Sequence, residues 1–361
     1  MWFGICTNLV TRLSSSTGLH NTIGAGGPIA KVVVIGAGSW GTTVANLLAQ
    51  KGLDVTLCPR EADLASCIAR SHENSRYLPG VALSPRLNVA VGPADVVPDT
   101  DLLVFAIPAQ SLREVVRRLR DCVTDRTILL NVAKGIEEGT GSRCSEIILD
   151  ELKRTNPMAV LSGPNIAWEV ALGVPSKAVV SCSNYRYLAA LRDAFSTGCF
   201  KVYENSDLAG TELGGALKNV IAIMAGIGDG LGYGVNTKAA VITRGLKEMV
   251  RIGVFMGGHR ETFFGLSGIG DLMATSLSDR SRNRTLGEHL GRGATLRDAE
   301  DALNGRVAEG VKTTKALFEI KSEYRLDLPI VDSLYRILYD GLPPSEGFGA
   351  MWYPGEGLEA D

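Results

Sequence analysis

Short, wholly apolar runs rich in β-branched residues alternate with amphipathic segments along the first part of the chain. Such runs are typical of parallel strands that are buried on both faces of a sheet. They predict strands over residues 31–35, 54–58, 101–107, 127–132 and 158–161. The amphipathic segments between them predict helices over residues 42–51, 111–119 and 145–153. This alternation predicts an α/β fold of the Rossmann type, with a doubly wound sheet.

The hydrophobic pattern changes after about residue 205. From Leu208 onward apolar positions recur at helical spacing, and strand-like runs are absent. Helices are predicted over residues 237–249, 261–275, 296–303, 311–324 and 329–339. We therefore expect a sheet domain over residues 29–205, a mainly α-helical C-terminal domain over 206–343, and an irregular Gly/Pro-rich tail over 344–361.

Residues 1–28 differ in composition from the rest of the chain. They contain no Asp or Glu, and they include the run Thr11-Arg-Leu-Ser-Ser-Ser-Thr17. An acid-poor, hydroxyl-rich composition is typical of organelle transit peptides. Two interpretations stay open. The segment is either a transit peptide, which would direct the protein to a plastid or mitochondrion, or a disordered leader on a cytoplasmic protein.

Bulk composition argues against several classes of protein. The chain has 37 Lys and Arg against 39 Asp and Glu, a balance that gives no support for nucleic-acid binding. No apolar run reaches the roughly 20 residues that a membrane-spanning helix needs. The seven cysteines are dispersed singly, without a CxxC pair or a Cys/His cluster. We therefore expect a soluble protein without a metal site, in which Cys58 and Cys182 are buried free thiols.

A glycine-rich turn follows the first predicted strand. Gly36, Gly38 and Gly41 form a GxGxxG motif between that strand and a helix. In such a motif the first glycine permits a tight turn, the second lets the backbone approach a pyrophosphate, and the third lets the helix pack close to the strand. The backbone at Ser39 and Trp40, where the helix begins, would face the phosphates. The alternative is a strand–helix turn without a ligand.

The residues after the second predicted strand bear on the choice of nucleotide. Folds that select NAD place Asp or Glu there to accept from the ribose 2′-hydroxyl. This chain has Arg60, with Glu61 one step further. A guanidinium suits a 2′-phosphate, so NADPH is expected to be favoured or at least accepted alongside NAD. The alternative is a surface arginine without a ligand.

Motifs spread over most of the chain resemble those of the glycerol-3-phosphate dehydrogenase family. Four lie in the second half, in this order: Gly214-Gly-Ala-Leu-Lys-Asn-Val220, Gly230-Leu-Gly-Tyr-Gly-Val-Asn-Thr-Lys-Ala-Ala240, Gly265-Leu-Ser-Gly-Ile-Gly-Asp-Leu272 and Ser281-Arg-Asn-Arg284. Four shorter ones agree with them: Lys134-Gly-Ile-Glu137, Leu161-Ser-Gly-Pro164, Val307-Ala-Glu-Gly310 and Leu328-Pro-Ile330. The resemblance covers about residues 31–343, and the set is far more specific than any single motif.

The resemblance implies the reversible reduction of dihydroxyacetone phosphate to sn-glycerol 3-phosphate by NAD(P)H, a step that feeds glycerolipid synthesis. It implies that Lys218 is the acid/base, with Asp271 as its partner and Lys134 in contact with the substrate and cofactor. Lys218 lies among apolar helix residues, where desolvation would lower its pKa. Taken alone, Lys218 could be a solvated helix residue, Asp271 an N-cap and Lys134 a loop lysine.

Further contacts are implied in the same way. Arg282 and Asn283 are the expected clamp for the substrate phosphate, because a guanidinium donates two parallel hydrogen bonds to phosphate oxygens. Three arginines lie within residues 280–284, so some of them are expected to face solvent. The other expected substrate contacts are Gly163, Asn165, Asn219, Thr275 and Ser281. The other expected cofactor contacts are Ala167, Val307, Arg282 and Glu309, the last at the adenosine end.

The chain departs from the family pattern at one place. After Ser162-Gly-Pro164 the family usually has Ser or Thr and then an aromatic residue, whereas this chain has Asn165 and Ile166. An asparagine can still donate and accept hydrogen bonds, but this departure weakens the case for contact with substrate. Trp168, close by, is unusual and could be a core residue. The resemblance also implies a homodimer.

Other interpretations stay open. β-Hydroxyacid dehydrogenases and ketopantoate-reductase-like enzymes share a Rossmann unit, a helical domain and a catalytic lysine. Their asparagine follows the lysine by a helical turn, whereas Asn219 is adjacent to Lys218. A non-catalytic NADP-binding sensor would be expected to have lost the residues of the second domain that this chain keeps. Metal-dependent alcohol oxidation has no ligand cluster to support it.

Overall fold

A single sheet organises the first part of the molecule in the computed structural model, which describes residues 28–352. Its strands are β1 Lys31–Ile35, β2 Asp54–Cys58, β3 Leu87–Val89, β4 Leu102–Phe105, β5 Ile128–Asn131, β6 Met158–Ser162, β7 Ser176–Cys182 and β8 Phe200–Asn205. They lie in the order β3-β2-β1-β4-β5-β6-β7-β8. Strands β1 to β6 are parallel, in the order of a doubly wound fold, and β7 runs antiparallel to β6. The predicted α/β sheet is confirmed.

Helices cover both faces of this sheet. They are α1 Ser39–Gln50, α2 Ala62–Ser71, α3 Ala109–Leu119, α4 Cys144–Leu152, α5 Ala167–Ala171 and α6 Leu188–Phe195. Because successive strand residues point to opposite faces, Val34 packs into one apolar core and Val33 into the other. Burial on both faces explains why the central strands β1 and β4 have apolar residues at successive positions.

The second part of the described chain is helical, as predicted. Its helices are α7 Leu208–Gly230, α8 Val235–Phe255, α9 Asp271–Leu277, α10 Arg282–Gly291, α11 Leu296–Asp301, α12 Glu309–Tyr324, α13 Pro329–Tyr339 and α14 Pro344–Trp352. Helix α7 is buried almost along its whole length and packs against both the sheet and the other helices. Strand β8 and α7 lie on either side of the expected boundary at residue 205.

Glycines bring α7 and α10 into backbone contact. A Cβ atom on Gly226 would lie 2.0 Å from the carbonyl oxygen of Arg284, and one on Gly287 would lie 2.0 Å from that of Ile223. Neither distance is compatible with a side chain, so the two axes approach as closely as helices can. This contact positions the start of α10, which carries Arg282 and Asn283.

The sheet has three strands that the sequence did not indicate, β3, β7 and β8. Strand β3 is only three residues long, and β8 alternates buried Phe200 and Val202 with exposed Lys201 and Tyr203. Such an alternating pattern belongs to an edge strand with one solvated face. The apolar-run criterion finds strands buried on both faces and misses this kind.

Residues 261–275 do not form the single helix that was predicted. They form a 3₁₀ turn over Arg260–Phe264, a π turn over Leu266–Gly270, and then α9. The break occurs at glycines: a Cβ on Gly268 would lie 2.0 Å from the carbonyl oxygen of Phe263. Apolar spacing alone could not reveal this interruption.

The expectation of an irregular tail was wrong for residues 344–352, which form α14. Pro344 begins the helix, a position where a missing N–H costs nothing. Phe348 is buried in the core of the helical domain. Gly347 lies so close to Ile337 that a Cβ would come within 2.7 Å of its side chain. The glycines therefore permit packing here instead of breaking the helix; residues 353–361 lie outside the described part.

Other expectations concern thiols, membranes and the leader. The prediction that Cys58 and Cys182 are buried free thiols is confirmed. Among the described residues, no helix is long and apolar enough to cross a membrane. The leader interpreted as a transit peptide or disordered segment lies almost wholly outside the described residues.

Candidate active site

The glycine turn between β1 and α1 has the geometry that a bound pyrophosphate needs. Gly36 has a φ of +104°, and its Cβ would lie 2.5 Å from the carbonyl oxygen of Ala106. A Cβ on Gly41 would lie 2.1 Å from the carbonyl oxygen of Gly36. Gly38 differs, since nothing lies within 4 Å of its Cβ position. The backbone at Gly38 is therefore open on the side where the second glycine of the motif admits a phosphate.

The start of α1 offers donors to such a phosphate. Gly38 is the N-cap and supplies no side-chain acceptor to the first turn. The hydroxyl of Ser39 donates to the carbonyl of Tyr77 at 2.6 Å, so its hydrogen is already used and the backbone N–H is the donor left to a phosphate. Trp40 packs on Phe200, with ring centroids 6.3 Å apart. The turn therefore fits a dinucleotide through backbone N–H groups and the helix dipole.

Arg60 lies beyond the end of β2, with its side chain 89% exposed. Its guanidinium makes an ion pair with Glu61 at 2.7 Å. The two residues present both groups that could face the ribose, a carboxylate for a 2′-hydroxyl and a guanidinium for a 2′-phosphate. This position is at the half of a doubly wound sheet that binds adenosine, on the other side of the sheet's centre from the β5 end that carries Lys134.

Three charged side chains from three segments meet at the junction of the two domains. Lys218, on α7, donates from Nζ to Oδ1 of Asp271 at 2.6 Å. Lys134, three residues past the end of β5, donates from Nζ to Oδ2 of the same carboxylate at 2.6 Å. Lys134 also donates to the carbonyl of Gly163, beyond β6, at 3.1 Å. One carboxylate thus bridges two lysines at the carboxyl ends of β5 and β6, where doubly wound folds bind ligands.

The surroundings lower the proton affinity of Lys218. The residue is only 6% exposed, and burial lowers its pKa to about 7. Asp271 opposes this shift, whereas Lys134 adds to it by charge repulsion. The expected lowering of the Lys218 pKa is confirmed. A lysine in this state can both donate and accept a proton near neutral pH.

Asp271 reaches the two lysines because of the glycine-rich π turn before it. The turn over Leu266–Gly270 delivers Asp271 as the first residue of α9, with Gly270 as the N-cap. The alternative that Asp271 caps this helix is therefore wrong. One helical turn later, Thr275 accepts from Lys218 Nζ at 2.5 Å.

Asn219 and Asn283 form a chain of hydrogen bonds behind Lys134. The backbone N–H of Gly310 donates to Oδ1 of Asn283 at 3.0 Å, and Nδ2 of Asn283 donates to Oδ1 of Asn219 at 2.9 Å. Nδ2 of Asn219 then donates to the carbonyl of Lys134 at 2.9 Å. Only the second amide hydrogen of each asparagine remains for a substrate. Their main contacts fix α7, α10 and α12 to the Lys134 segment.

Of the three arginines near the start of α10, one faces the cleft. Arg284 forms ion pairs with Asp229 and Asp279, and Arg280 lies over the ring of Trp168 at 4.0 Å. Arg282, the first residue of α10, makes no hydrogen bond or ion pair within residues 28–352. Ser281 is the N-cap and accepts from the N–H of Arg284 at 3.2 Å, which occupies its hydroxyl oxygen.

Glu309 lies opposite Arg282, at the start of α12. Burial raises its pKa to about 7, and Arg282 together with the N–H of Ala109 opposes that shift. Its Oε2 lies 3.0 Å from the position of a Cβ on Gly135. Ala109 and Gly135 follow β4 and β5, so this carboxylate is not beside β2, where the adenosine end is expected. Val307, just before it, is 45% exposed.

The segment after β6 links the substrate side to the glycine turn. The carbonyl of Ala167 accepts from the hydroxyl of Thr43 on α1 at 3.1 Å. The amide of Asn165 faces the carbonyls of Lys177 and Pro164, and its nitrogen donates to them at 3.2 Å. Trp168 is not simply a core residue, because it stacks under Arg280 from the helical domain. Glu212, for which the sequence predicted no role, is buried where the two domains meet.

Comparisons with known proteins agree with this geometry. A family pattern described as the N-terminus of NAD-dependent glycerol-3-phosphate dehydrogenase matches residues 31–188, and the pattern for its C-terminus matches residues 207–348. Glycerol-3-phosphate dehydrogenase [NAD(P)+] of Chlorobium phaeobacteroides (strain BS1) is 46% identical over 318 residues, 88% of this chain and 95% of the relative.

Solved structures separate the two enzyme classes weighed earlier. Glycerol-3-phosphate dehydrogenase from Coxiella burnetii superposes with a TM-score of 0.86 at 33% identity, over 90% of this chain and 99% of that one. A ketopantoate reductase from Ralstonia eutropha reaches a TM-score of 0.57 at 13% identity, over 88% and 99%, which shows a shared fold alone. No group of His, Cys, Asp and Glu suited to a metal occurs among the described residues. The chain belongs to the NAD-dependent glycerol-3-phosphate dehydrogenase family.

Proposed function

We propose that the protein catalyses the reversible reduction of dihydroxyacetone phosphate to sn-glycerol 3-phosphate with NADH or NADPH. The observation that carries this proposal is the Lys218–Asp271–Lys134 cluster at the carboxyl ends of β5 and β6. When bound, the dinucleotide supplies a hydride to the ketone carbon. The residues of the chain supply the proton, the orientation of the substrate and the phosphate contacts.

Lys218 provides the proton in reduction. Its ammonium donates to the carbonyl oxygen as the hydride reaches the carbon, and the resulting amine regains a proton from solvent. A pKa of about 7 makes this donation favourable near neutral pH, and the neutral amine can act as the base in the reverse direction. Asp271 holds the side chain in place, and Thr275, one turn further along α9, accepts a second hydrogen bond from it.

Lys134 is positioned to contact the oxygens of the substrate. Its side chain is 17% exposed, more than that of Lys218, and its ammonium is held between Asp271 and the Gly163 carbonyl. A second cation near the carbonyl oxygen would stabilise the negative charge that develops there during hydride transfer.

The phosphate is assigned to Arg282. Its guanidinium has no ion-pair partner among the described residues, and it lies at the start of a ten-residue helix. A guanidinium can donate two parallel hydrogen bonds to phosphate, and the positive end of the helix dipole adds to the attraction. Glu309 opposite it limits the space and faces the cofactor side of the cleft; we place its contact nearer the nicotinamide half than the adenosine end.

Two finer points stay predictions. The homodimer implied by the resemblance would need an apolar surface, and exposed Phe255 and Tyr324, with ring centroids 4.9 Å apart, supply part of one. Sedimentation equilibrium would measure the assembly.

Import of the full-length chain into isolated plastids or mitochondria would test the transit peptide.

Initial rates test the proposed activity. Purified protein is assayed with dihydroxyacetone phosphate and either NADH or NADPH, and ketopantoate serves as the competing substrate. We expect oxidation of both nucleotides with dihydroxyacetone phosphate and negligible rates with ketopantoate. The opposite preference would refute the proposal in favour of a hydroxyacid dehydrogenase.

A further inference from the structure

Glu212 is a buried carboxylate that has no part in the chemistry proposed above. It lies on α7, and its side chain is 2% exposed. Three donors point at it. Oε1 accepts from Nδ2 of Asn131 at 3.1 Å and from the N–H of Ser145 at 2.8 Å, and Oε2 accepts from the Ser145 hydroxyl at 2.5 Å. Arg143 lies 3.6 Å away. A buried carboxylate that accepts from several donors restrains the segments that carry those donors.

One of these donors leads directly to the active site. Asn131 is the last residue of β5, and its side chain clamps the turn that follows: Oδ1 accepts from the N–H of Ala133 at 3.0 Å, and Nδ2 donates to the Ala133 carbonyl at 3.1 Å. The next residue is Lys134. Glu212 therefore ties the turn that presents Lys134 to the helix that carries Lys218.

A second tie comes from the same helix, since Asn219 donates to the carbonyl of Lys134. The two ties flank the lysine segment, one through Asn131 and one through the Lys134 backbone. Together they set where the Lys134 ammonium meets Asp271. Without the Glu212 tie, the Lys134 segment would keep its sheet pairing, but its connection to α7 would rest on Asn219 alone.

We propose that Glu212 is a positioning residue that holds Lys134 against Asp271 and beside Lys218 during the proposed reduction. Two charged groups face Lys218. Asp271 on α9 stabilises the protonated lysine and raises its pKa, whereas Lys134 destabilises the protonated lysine and lowers its pKa. Around Glu212 itself the charged or titratable groups are Arg143, Cys144 and Glu146. If Lys134 moves away, its repulsion falls and the Lys218 pKa rises.

The test is the pH profile of the Glu212→Leu variant of the full-length enzyme, because leucine has no oxygen to accept from Asn131, whereas a glutamine oxygen could take the place of Oε1. Reduction needs protonated Lys218, so kcat falls as pH rises through its pKa. We expect this falling limb to move to higher pH by at least about half a unit, and kcat at pH 7 to drop about tenfold or more, because small misplacements of a reacting group are costly. Cofactor affinity, measured by fluorescence quenching, should change less than about twofold.

Glu248→Leu is the matched control. Glu248 is also a buried helix glutamate, and it accepts from the N–H groups of Ile330 and Val331, away from the cluster. We expect this control to change thermal stability and leave the pH limb in place. Asn131→Ala is the second variant. It cuts the link to Lys134, leaves Glu212 with Ser145, and should move the limb in the same direction as Glu212→Leu.

The outcomes separate the two proposals. Wild-type turnover of dihydroxyacetone phosphate decides the proposed function before any variant is considered. If the wild type is active but both Glu212→Leu and Asn131→Ala keep its pH limb, or if Glu248→Leu moves the limb equally, the positioning role is refuted. Should Glu212→Leu fail to fold, Asn131→Ala alone decides.

Discussion

At the scale of single residues, the site is organised around one carboxylate shared by two lysines. Each ammonium donates to Asp271 and to one other oxygen, that of Thr275 for Lys218 and of Gly163 for Lys134, so a third N–H of each remains for a substrate oxygen. The sharing keeps both ammonium groups close while burial holds the Lys218 pKa near 7. The arrangement is therefore suited to reversible proton transfer and not merely to structural stability.

Replacing Lys218 by Ala should lower kcat for reduction by about 10² to 10⁴, the range that positioned general acids contribute. Cofactor affinity should stay close to that of the wild type, because the glycine turn lies on another element. Stopped-flow and equilibrium fluorescence measure the two quantities. A variant that retains turnover would remove Lys218 from the acid/base role.

The pair formed by Arg60 and Glu61 sets the expected nucleotide preference. Replacing Arg60 by Ala should weaken NADPH by about tenfold, as for the loss of a charge-assisted hydrogen bond, and leave NADH nearly unchanged. Glu61→Gln should act in the opposite sense and weaken NADH. Dissociation constants for both nucleotides decide it, and equal effects of Arg60→Ala on the two would show that Arg60 does not contact the 2′-phosphate.

Part of the candidate active site could be predicted from the sequence alone. The resemblance of the motifs around Lys218, Asp271 and Lys134 to those of the family indicated the three residues, whereas each taken alone allowed an ordinary structural role. The hydrogen bonds of Asn219 and Asn283 could not be predicted from the sequence, because their partners lie far away along the chain. Glu212 was missed for the same reason: its partners lie 67 and 81 residues away.

At the scale of elements, a cation–π contact joins the domains beside the phosphate clamp. Arg280 precedes α10, Trp168 belongs to α5, and the guanidinium lies 4.0 Å from the ring centroid. A double-mutant cycle of Arg280→Ala and Trp168→Ala, followed by chemical unfolding, should give a coupling of about 0.5–1 kcal/mol. Additive effects of the two substitutions would contradict the contact.

Elements also show where hydrophobic patterns fail. The strands buried on both faces were located almost to the residue, as with β1 and β2, because such burial leaves few polar positions. The half-exposed β8 and the glycine-interrupted segment before α9 were not located from the hydrophobic pattern. Their form depends on neighbours: an edge in one case, and close backbone contacts at Gly268 in the other.

At the scale of the whole molecule, buried glutamates make stability depend on pH. Burial raises the pKa of Glu248 to about 8, well above its usual value near 4.5. Between these values the folded state holds a proton that the unfolded state has released. The contribution of Glu248 to stability is therefore present at low pH and is lost as pH rises toward 8.

The Glu248→Gln substitution removes this titration. Relative to the wild type, the variant should gain stability between pH 6 and pH 8, by an amount on the order of 2 kcal/mol. Urea unfolding at the two pH values provides the measurement. If the stability difference between the variant and the wild type is the same at both, Glu248 does not titrate in this range.

The junction at the start of α7 has a consequence for how the enzyme admits its substrates. Asp207, 4% exposed, accepts from the N–H of Gly210 at 2.8 Å and from that of His259 at 2.7 Å, and Ser181 bonds Thr211 at 2.7 Å. The point where the chain passes between the domains is thus braced by hydrogen bonds from both of them. Small-angle X-ray scattering should therefore give nearly the same radius of gyration with and without nucleotide, as expected for a cleft that is formed before the substrates bind.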